Sequence, residues 1–128
     1  MNRTAIHTPA APAAIGVYSQ AIRHNDTVYI SGQLPLDPAT GELAIGGIEA
    51  EIQQVFTNLQ TIANAAGTRL DNALKVTVFL TDLSHFGLVN EIMAQFCSEP
   101  YPARAAVQVA ALPKGVAVEA DAVLAVEA

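Results

Sequence analysis

The chain has no tryptophan and a single cysteine, Cys97, among its 128 residues. A disulfide within the chain is therefore impossible, and nothing in the cysteine content indicates an oxidising compartment, so we expect the protein in the cytoplasm. Motifs for metal ligands are also missing. His7, His24 and His85 share no ligand spacing, and neither HExxH nor CxxC occurs, so the sequence predicts no metal site.

Basic residues are scarce as well. Lysine and arginine total 6 against 12 aspartates and glutamates, which gives a formal net charge of -6. Recognition of a phosphate backbone needs clustered Lys and Arg, so the composition argues against a nucleic-acid partner. No apolar run is long enough to span a bilayer, and Pro9 and Pro12 interrupt the alanine-rich start, so we expect neither a membrane partner nor a signal peptide.

Apolar residues, in contrast, are abundant. Hydrophobic types make up 52% of the sequence and charged types only 14%, in a length that fits a single domain over residues 1–128. A small domain has much surface to keep in contact with water. This balance therefore predicts that some apolar surface meets another subunit.

Periodicity predicts elements in the order β-β-α-β-α-β-β. Alternating patterns indicate strands at 17–23, 27–31, 73–81, 102–110 and from 116 onward, while apolar spacings of three and four residues predict helices at 48–66 and from 86 to before Pro100. This order gives an α+β fold with one mixed sheet and both helices on one face. The other face is left bare, so we expect a closed symmetric oligomer whose sheets meet inside.

The last two predicted strands each carry a lone charge in an apolar setting, Arg104 and Glu119. If a short turn joins these strands as antiparallel neighbours, the two side chains face each other, and one interpretation is an internal salt bridge. The alternative gives them separate roles. The guanidinium binds a substrate carboxylate, and the Glu119 carboxyl, its pKa raised by apolar surroundings, acts as general base or acid. Asp121 is a competing base.

Other polar or reactive side chains have ordinary interpretations when each is taken alone. Cys97 falls on or near the apolar side of the second helix, which favours a packed thiol over a reactive one. Ser31 lies outside any GxSxG elbow and has no visible partner base. Tyr18 and Asn90 offer hydrogen bonds, yet each by itself is more typical of packing or capping than of catalysis.

Several short motifs together form a recognisable pattern. They are GVYSQ at 16–20, SGQLP at 31–35, NL at 58–59, VTVFLTD at 76–82, VN at 89–90, PAR at 102–104, LPKG at 112–115 and VE at 118–119. With these motifs the chain closely resembles the Rid family, also called the YjgF type, nearly from end to end. The combination of motifs is specific.

The resemblance implies a chorismate-mutase-like fold, a homotrimer whose sheets line a central barrel, and active sites in the clefts between subunits. It also implies hydrolysis of reactive 2-imino or 2-enamino acids, which PLP-dependent dehydratases produce, to 2-oxo acids and ammonia. No metal and no cofactor is implied. Small 2-imino and 2-oxo carboxylates would then be the molecules that this chain binds.

By position, the resemblance implies that Arg104 holds the substrate carboxylate and that Glu119 positions or activates the attacking water. The implied pocket includes Tyr18, Ser31, Gly32 and Asn90. The chain departs from the family pattern at three positions, one of which is Asp121, where a glutamate is common. Val17 replaces the usual proline, and Ala106 stands where a cysteine is usual, so that only the Ala106 backbone N–H is available to the carboxylate.

Two other functions stay open at this point. A non-catalytic protein that binds or senses a small carboxylate, such as a 2-oxo acid, would use the same clefts and would not require Glu119. An endoribonuclease or translation inhibitor, an activity attached to some relatives, fits poorly with an acidic chain that lacks a basic groove.

Overall fold

The strands and helices follow the periodicity of apolar residues along the chain. In a computed structural model that describes residues 2–127, the strands are β1 (Thr4–Ile6), β2 (Ala21–His24), β3 (Thr27–Gln33), β4 (Ala73–Leu80), β5 (Ala103–Gln108) and β6 (Val118–Ala125). The α-helices are α1 (Gly47–Ala65) and α2 (Phe86–Met93). Short 3-10 turns lie at Leu70–Asn72, Leu83–His85 and Pro113–Gly115.

All six strands form one mixed sheet in the order β1-β2-β3-β6-β4-β5. β4 and β5 run parallel, and every other neighbouring pair is antiparallel. Along the central strand β6, buried Val118, Ala120, Ala122 and Leu124 alternate with half-buried residues. Because successive side chains of a strand point to opposite faces, this alternation separates a core face from a second face.

Both helices cover the core face of the sheet. α1 contributes a stripe of buried side chains at helical spacing, namely Ile52, Val55, Phe56, Leu59, Ile62 and Ala63. The Phe56 ring stacks on Phe96, just beyond α2, with ring centroids 5.8 Å apart. Burial of such a stripe is what stabilises an amphipathic helix on a sheet. The predicted α+β fold, a mixed sheet with two helices, is confirmed.

The end of α1 also agrees with the prediction of a helix that stops at Gly67. Gly67 has φ 84°, in the left-handed region. Its N–H donates to the Asn64 carbonyl at 3.1 Å, and the Thr68 N–H donates to the Ala63 carbonyl at 3.0 Å. These two bonds are the Schellman motif, in which glycine supplies a backbone conformation that costs other residues more.

The N-terminal part of the chain differs from the prediction. β1 pairs with β2 where we expected only an extended lead-in, and residues 17–20 lie outside any strand. The buried Gln20 side chain gives the reason, because it binds the lead-in segment: its Oε1 accepts from the Thr8 N–H at 2.7 Å, and its Nε2 donates to the Pro12 carbonyl at 2.9 Å. The Gln20 side-chain amide thus makes the hydrogen bonds that the backbone of the lead-in segment needs. Residues 17–20 are therefore held as a connection and not as a strand.

The prediction that the last two strands are antiparallel neighbours is wrong. β4 lies between them, parallel to β5 and antiparallel to β6. The connecting segment crosses the end of β4, where the Val109 N–H donates to the Leu80 carbonyl at 2.8 Å and the Thr81 N–H donates to the Ala117 carbonyl at 3.1 Å. Both edges of β4 are thus paired, which keeps β5 and β6 apart.

The second face of the sheet carries a mixture of apolar and charged side chains. Those on the inner strands and the β5 edge are Tyr29, Lys75, Thr77, Phe79, Val107, Glu119, Asp121 and Val123, all exposed or half-buried. Tyr29 is 50% exposed and Val107 is 41% exposed. Within residues 2–127 neither helix packs on this side. Apolar surface of this kind is typical of a contact with another protein chain.

Candidate active site

Arg104 lies in β5 and points toward α2. It is in register with the buried Val76, so both side chains leave the sheet on the helix-covered face. The Arg104 Nη1 donates to Asn90 Oδ1 at 2.6 Å, and the guanidinium carbon lies 4.7 Å from the centroid of the Phe86 ring. Asn90 and Phe86 are four residues apart and share one side of α2. A hydrogen bond and a cation–π contact therefore hold the guanidinium.

A cavity of about 420 Å³ opens beside this guanidinium. Its lining consists of Asn90, Met93, Ala94, Tyr101, Pro102 and Arg104. The Met93 sulfur accepts a further weak contact from Arg104 Nη1 at 3.9 Å. A guanidinium has five N–H donors in a planar fork, so this one keeps donors for an anion in the cavity. We name this group of residues the arginine half-site.

Arg104 and Glu119 do not form the salt bridge that one interpretation of the sequence offered. Among residues 2–127 the one pair of oppositely charged side chains within 4.0 Å is His85 with Asp82, whose Nε2 and Oδ2 atoms are 3.9 Å apart. The reason is the strand order. Arg104 is in register with Val76 of β4 and Glu119 with Phe79 of β4. These register positions are three residues apart, an odd offset, so the two side chains lie on opposite faces of the sheet.

Glu119 lies in β6 on the face away from the helices. A methyl group placed on Gly32 of β3 would collide with the Glu119 Oε2 and would lie 3.0 Å from its carboxyl carbon. The pairing of β3 with β6 shifts register between Ile30 and Gln33, next to this contact. Gly32 is thus the residue whose missing side chain leaves room for the carboxyl group.

The Glu119 carboxyl faces a second cavity, of about 530 Å³. Its lining includes Pro12, Ile15, Tyr18, Gln20, Gly32, Leu34, Leu36, Pro113, Lys114 and Glu119. Tyr18 is half exposed, and its phenolic oxygen accepts from the Ile15 N–H at 3.3 Å. The walls are mostly apolar, with a few polar groups that converge on one space, which is typical of a small-molecule site. We name this group the glutamate half-site.

Burial raises the pKa of Glu119, and the negative charge of Asp121, two residues along the same strand face, raises it further. Burial also raises the pKa of Asp121, whereas hydrogen bonds from Thr77 and the charge of Lys75 oppose that rise. Among residues 2–127 no hydrogen bond is made by the Glu119 side chain. Glu119 is therefore a half-buried carboxyl whose lone pairs no donor of residues 2–127 occupies, whereas Thr77 and Lys75 of β4 favour the charged form of Asp121.

The remaining predicted site residues are distributed between these places. Ala106 lies two residues beyond Arg104 on the helix-covered face and packs against the core. Ser31 is next to Gly32 in β3, but its hydroxyl donates to the Ser19 carbonyl at 2.6 Å and it does not line the cavity of the glutamate half-site. Ser31 thus fixes the segment that carries Tyr18.

The sequence interpretation missed Phe86 and Lys114. Phe86 was assigned to the apolar side of a helix, and only its spacing of four residues from Asn90 could have linked it to Arg104. Lys114 belongs to the LPKG motif and lines the glutamate half-site. The predicted packed thiol of Cys97 is confirmed, because the residue is buried and burial raises its pKa to about 11.

Two features are absent from the described part of the chain. Within residues 2–127, no three His, Cys, Asp or Glu side chains are grouped as metal ligands. Over the same residues, neither α-helix combines the length and the apolar character that crossing a membrane requires.

Comparison with known proteins identifies the family. The family described as endoribonuclease L-PSP matches residues 8–126. A 2-iminobutanoate/2-iminopropanoate deaminase of Bos taurus is 50% identical over 121 residues, which cover 94% of this chain and 88% of that protein. A RutC family protein of Sinorhizobium fredii is 51% identical over 93% of this chain and 94% of its own length.

A solved structure agrees with these sequence relatives. RidA from the Antarctic bacterium Psychrobacter sp. PAMC 21119 superposes with a TM-score of 0.92 at 54% sequence identity, covering 96% of this chain and 99% of that one. Identity at this level over nearly the whole length leaves no room for a different fold. The chain therefore belongs to the endoribonuclease L-PSP family, which is the Rid or YjgF family.

Proposed function

We propose that this protein hydrolyses reactive 2-imino and 2-enamino acids, such as 2-iminobutanoate and 2-aminoacrylate, to 2-oxo acids and ammonia. The observation that carries the proposal is the Glu119 carboxyl, half-buried beside Gly32, without a hydrogen-bond partner in residues 2–127 and with a raised pKa. A carboxyl of this kind, with unoccupied lone pairs and a pKa above its usual range, is suited to accept and return a proton. The deaminase names of relatives near 50% identity support the same reaction.

In the proposed reaction the substrate carboxylate binds the Arg104 guanidinium, which Asn90 and Phe86 hold in place. Glu119 accepts a proton from a water molecule as that water attacks C2 of the protonated imine. The resulting carbinolamine then receives that proton on nitrogen and expels ammonia as its hydroxyl proton passes to the Glu119 carboxylate. Ammonia takes this proton away as ammonium, leaving the 2-oxo acid and an ionised Glu119. An enamine first takes up a proton at C3 to give the imine. A protonated imine is already a strong electrophile, so orientation and one base suffice, and we propose no cofactor.

Arg104 and Glu119 lie on opposite faces of one sheet, so a single chain does not offer both to one substrate. We propose that the arginine half-site of one copy and the glutamate half-site of another form each active site. A homotrimer whose sheets face a central barrel would also cover the exposed Tyr29 and Val107. Size-exclusion chromatography with light scattering tests this state, and a monomeric active enzyme would contradict it.

The other site residues receive supporting roles in this proposal. Tyr18 lines the pocket, and Ser31 fixes the Tyr18 segment through the Ser19 carbonyl. Gly32 leaves space for the Glu119 carboxyl, and the backbone N–H of Ala106 is offered to the substrate carboxylate. The cytoplasm stays a prediction that rests on the single buried cysteine.

A binding protein without catalysis would use the same cavities. The two functions separate at Glu119: a binder of 2-oxo acids keeps its ligand response in the Glu119→Gln variant, whereas a deaminase keeps binding and loses rate. For an endoribonuclease, the net charge of -6 is unfavourable, because RNA binding depends on clustered cations. Absence of RNA binding at low salt would exclude that activity.

The test of the proposal is a coupled assay. A PLP-dependent dehydratase generates 2-aminoacrylate from serine or 2-aminocrotonate from threonine, and release of ammonia or of the 2-oxo acid is followed with and without this protein. We expect clear acceleration over the buffer reaction, abolished in Glu119→Gln. A wild-type protein that gives no acceleration, or a Glu119→Gln variant as fast as wild type, overturns the proposal.

A further inference from the structure

The LPKG turn between β5 and β6 has an unusual backbone. Lys114 has φ 59° and ψ 16°, a left-handed conformation that is uncommon for residues other than glycine and asparagine. The turn is closed by hydrogen bonds, from the Gly115 N–H to the Leu112 carbonyl at 3.1 Å and from the Val116 N–H to the Pro113 carbonyl at 3.3 Å. A lysine in such a strained position is a reason to ask what its side chain does.

Lys114 lines the glutamate half-site. It is the one cationic residue in that cavity, which it shares with Glu119 and with apolar walls. The two charges do not neutralise each other, since no Lys114 ion pair within 4.0 Å is formed with any carboxylate of residues 2–127. The cavity thus has an exposed lysine and a half-buried glutamate in its lining, and the two are not paired.

The other lysine near this region has a different environment. Lys75 lies on β4 in register with Val123, and its charge acts on Asp121 of the neighbouring strand. Arg104 is on the opposite face of the sheet and is assigned to the substrate's own carboxylate. Neither cation competes with Lys114 for a group inside the cavity of the glutamate half-site.

We propose that Lys114 binds a second anionic group, at the far end of the substrate side chain, so that imines of acidic amino acids, 2-iminosuccinate and 2-iminoglutarate, are substrates. This rests on the proposed deaminase function. A substrate anchored by the Arg104 of one copy, with C2 beside Glu119 of the other, extends its side chain into the cavity of about 530 Å³ that Lys114 borders. Ammonium and carboxylate attract more strongly between apolar walls than in open water.

The experiment compares two imines in the same assay. Amino-acid oxidases generate the imine of alanine and the imine of glutamate or aspartate, and kcat/KM is determined for both. The main variant is Lys114→Asn, because asparagine tolerates the left-handed backbone and carries no charge. We expect the ratio of kcat/KM for the dicarboxylic imine to kcat/KM for the alanine imine to fall about 10-fold. Lys114→Arg, which keeps the charge, retains most of the dicarboxylic activity.

Two results overturn the inference: an equal fall of kcat/KM for both imines, or wild-type protein that hydrolyses the alanine imine and leaves the dicarboxylic imine untouched. Ligand binding provides a second measurement that does not depend on turnover. We expect 2-oxoglutarate to raise Tm more than 2-oxobutanoate does at the same concentration, and Lys114→Asn to remove the difference. If the protein hydrolyses no imine but shows this Lys114-dependent difference in Tm, the deaminase proposal is rejected and the anion site at Lys114 is retained. Equal Tm shifts with 2-oxoglutarate and 2-oxobutanoate would contradict the anion site at Lys114.

Discussion

The arginine half-site and the glutamate half-site differ in how firmly each holds its charged side chain. Arg104 sits on the edge strand β5 and is held by the Asn90 oxygen at 2.6 Å and by the Phe86 ring. Glu119 sits on the central strand β6, where its side chain has no hydrogen-bond partner in the described residues and borders a larger cavity. One charged group is fixed in advance, and the other is left without partners.

This difference fits the two tasks in the proposed reaction. A group that orients a substrate works best when its own position is fixed before binding, because less freedom is lost as the substrate arrives. A group that moves a proton needs lone pairs that no protein donor occupies and a pKa closer to neutral, and burial next to Asp121 supplies the raised pKa. The sheet separates the tasks by placing the two groups on opposite faces.

The largest loss of activity is expected from removing the Arg104 side chain of the arginine half-site. In Arg104→Ala the substrate carboxylate loses a charged, forked donor, so we expect kcat/KM to fall by roughly 100- to 1000-fold. Exposed Arg3 provides the matched control, and Arg3→Ala should behave as wild type. The coupled ammonia assay measures both variants. An Arg104→Ala enzyme within a few-fold of wild type would show that the guanidinium is not the anchor.

Mixing variants tests whether the two half-sites come from different copies. Arg104→Ala and Glu119→Gln should each be nearly inactive alone. When equal amounts are unfolded together and refolded, or co-expressed, random assortment in a closed ring restores about a quarter of the sites. These are the sites at which a Glu119→Gln copy supplies Arg104 and an Arg104→Ala copy supplies Glu119. Recovered activity is compared with variants mixed without exchange of subunits. No recovery after verified exchange would mean that both groups serve within one copy.

Much of this fold could be predicted from the sequence because its elements are long and periodic. The 48–66 helix and the 73–81 strand were found nearly at their true bounds, since one apolar stripe defines each. The order of β5 and β6 could not be predicted, because adjacency along the chain does not require adjacency in a sheet. The crossing of the β5–β6 connection over the end of β4 is seen in the hydrogen bonds that Val109 makes with Leu80 and that Thr81 makes with Ala117.

The candidate site was predicted in part for the same reason. A lone arginine and a lone glutamate among alanines and valines stand out in predicted strands. The local pattern therefore indicates Arg104 and Glu119 and leaves a salt bridge between them as the alternative. Their separation onto two faces depends on register, which the sequence does not contain without the strand order. Phe86 went unnoticed because an aromatic at helical spacing is normally a core residue, and the Arg104 contact makes it more than that.

The space beside Glu119 can be reduced by one methyl group. In Gly32→Ala the new Cβ meets the Glu119 carboxyl, so the side chain must move from its place. Gly32 has no left-handed φ, so the backbone accepts alanine and Tm should change little. We expect kcat to fall about 10-fold, the size of a misplaced proton-transfer group. Gly87→Ala on α2, where nothing lies within 4 Å, is the control and should keep full activity. Unchanged kcat in Gly32→Ala would mean that the carboxyl does not act from its present place.

The smallest expected effect is a shift in the pH dependence of activity when Asp121, the neighbour of Glu119, loses its charge. Asp121 raises the pKa of Glu119 through its negative charge, so Asp121→Asn should lower that pKa. If the ionised Glu119 is the base, activity is lost as pH falls through its pKa, and in this variant the loss must move to lower pH. At pH values well above the acid limb the rate should change less than about 2-fold, because there the base is ionised in both proteins.

Asp121→Glu, which keeps the negative charge, serves as the control for that shift. Its pH–rate profile should match that of wild type, whereas the profile of Asp121→Asn should be displaced in its acid limb alone. Lys75 and Lys114, the cations of β4 and of the LPKG turn, are present in both variants and so cancel from the comparison. A displacement of the acid limb to higher pH, or an equal displacement in both variants, would mean that Asp121 does not act on Glu119 through its charge.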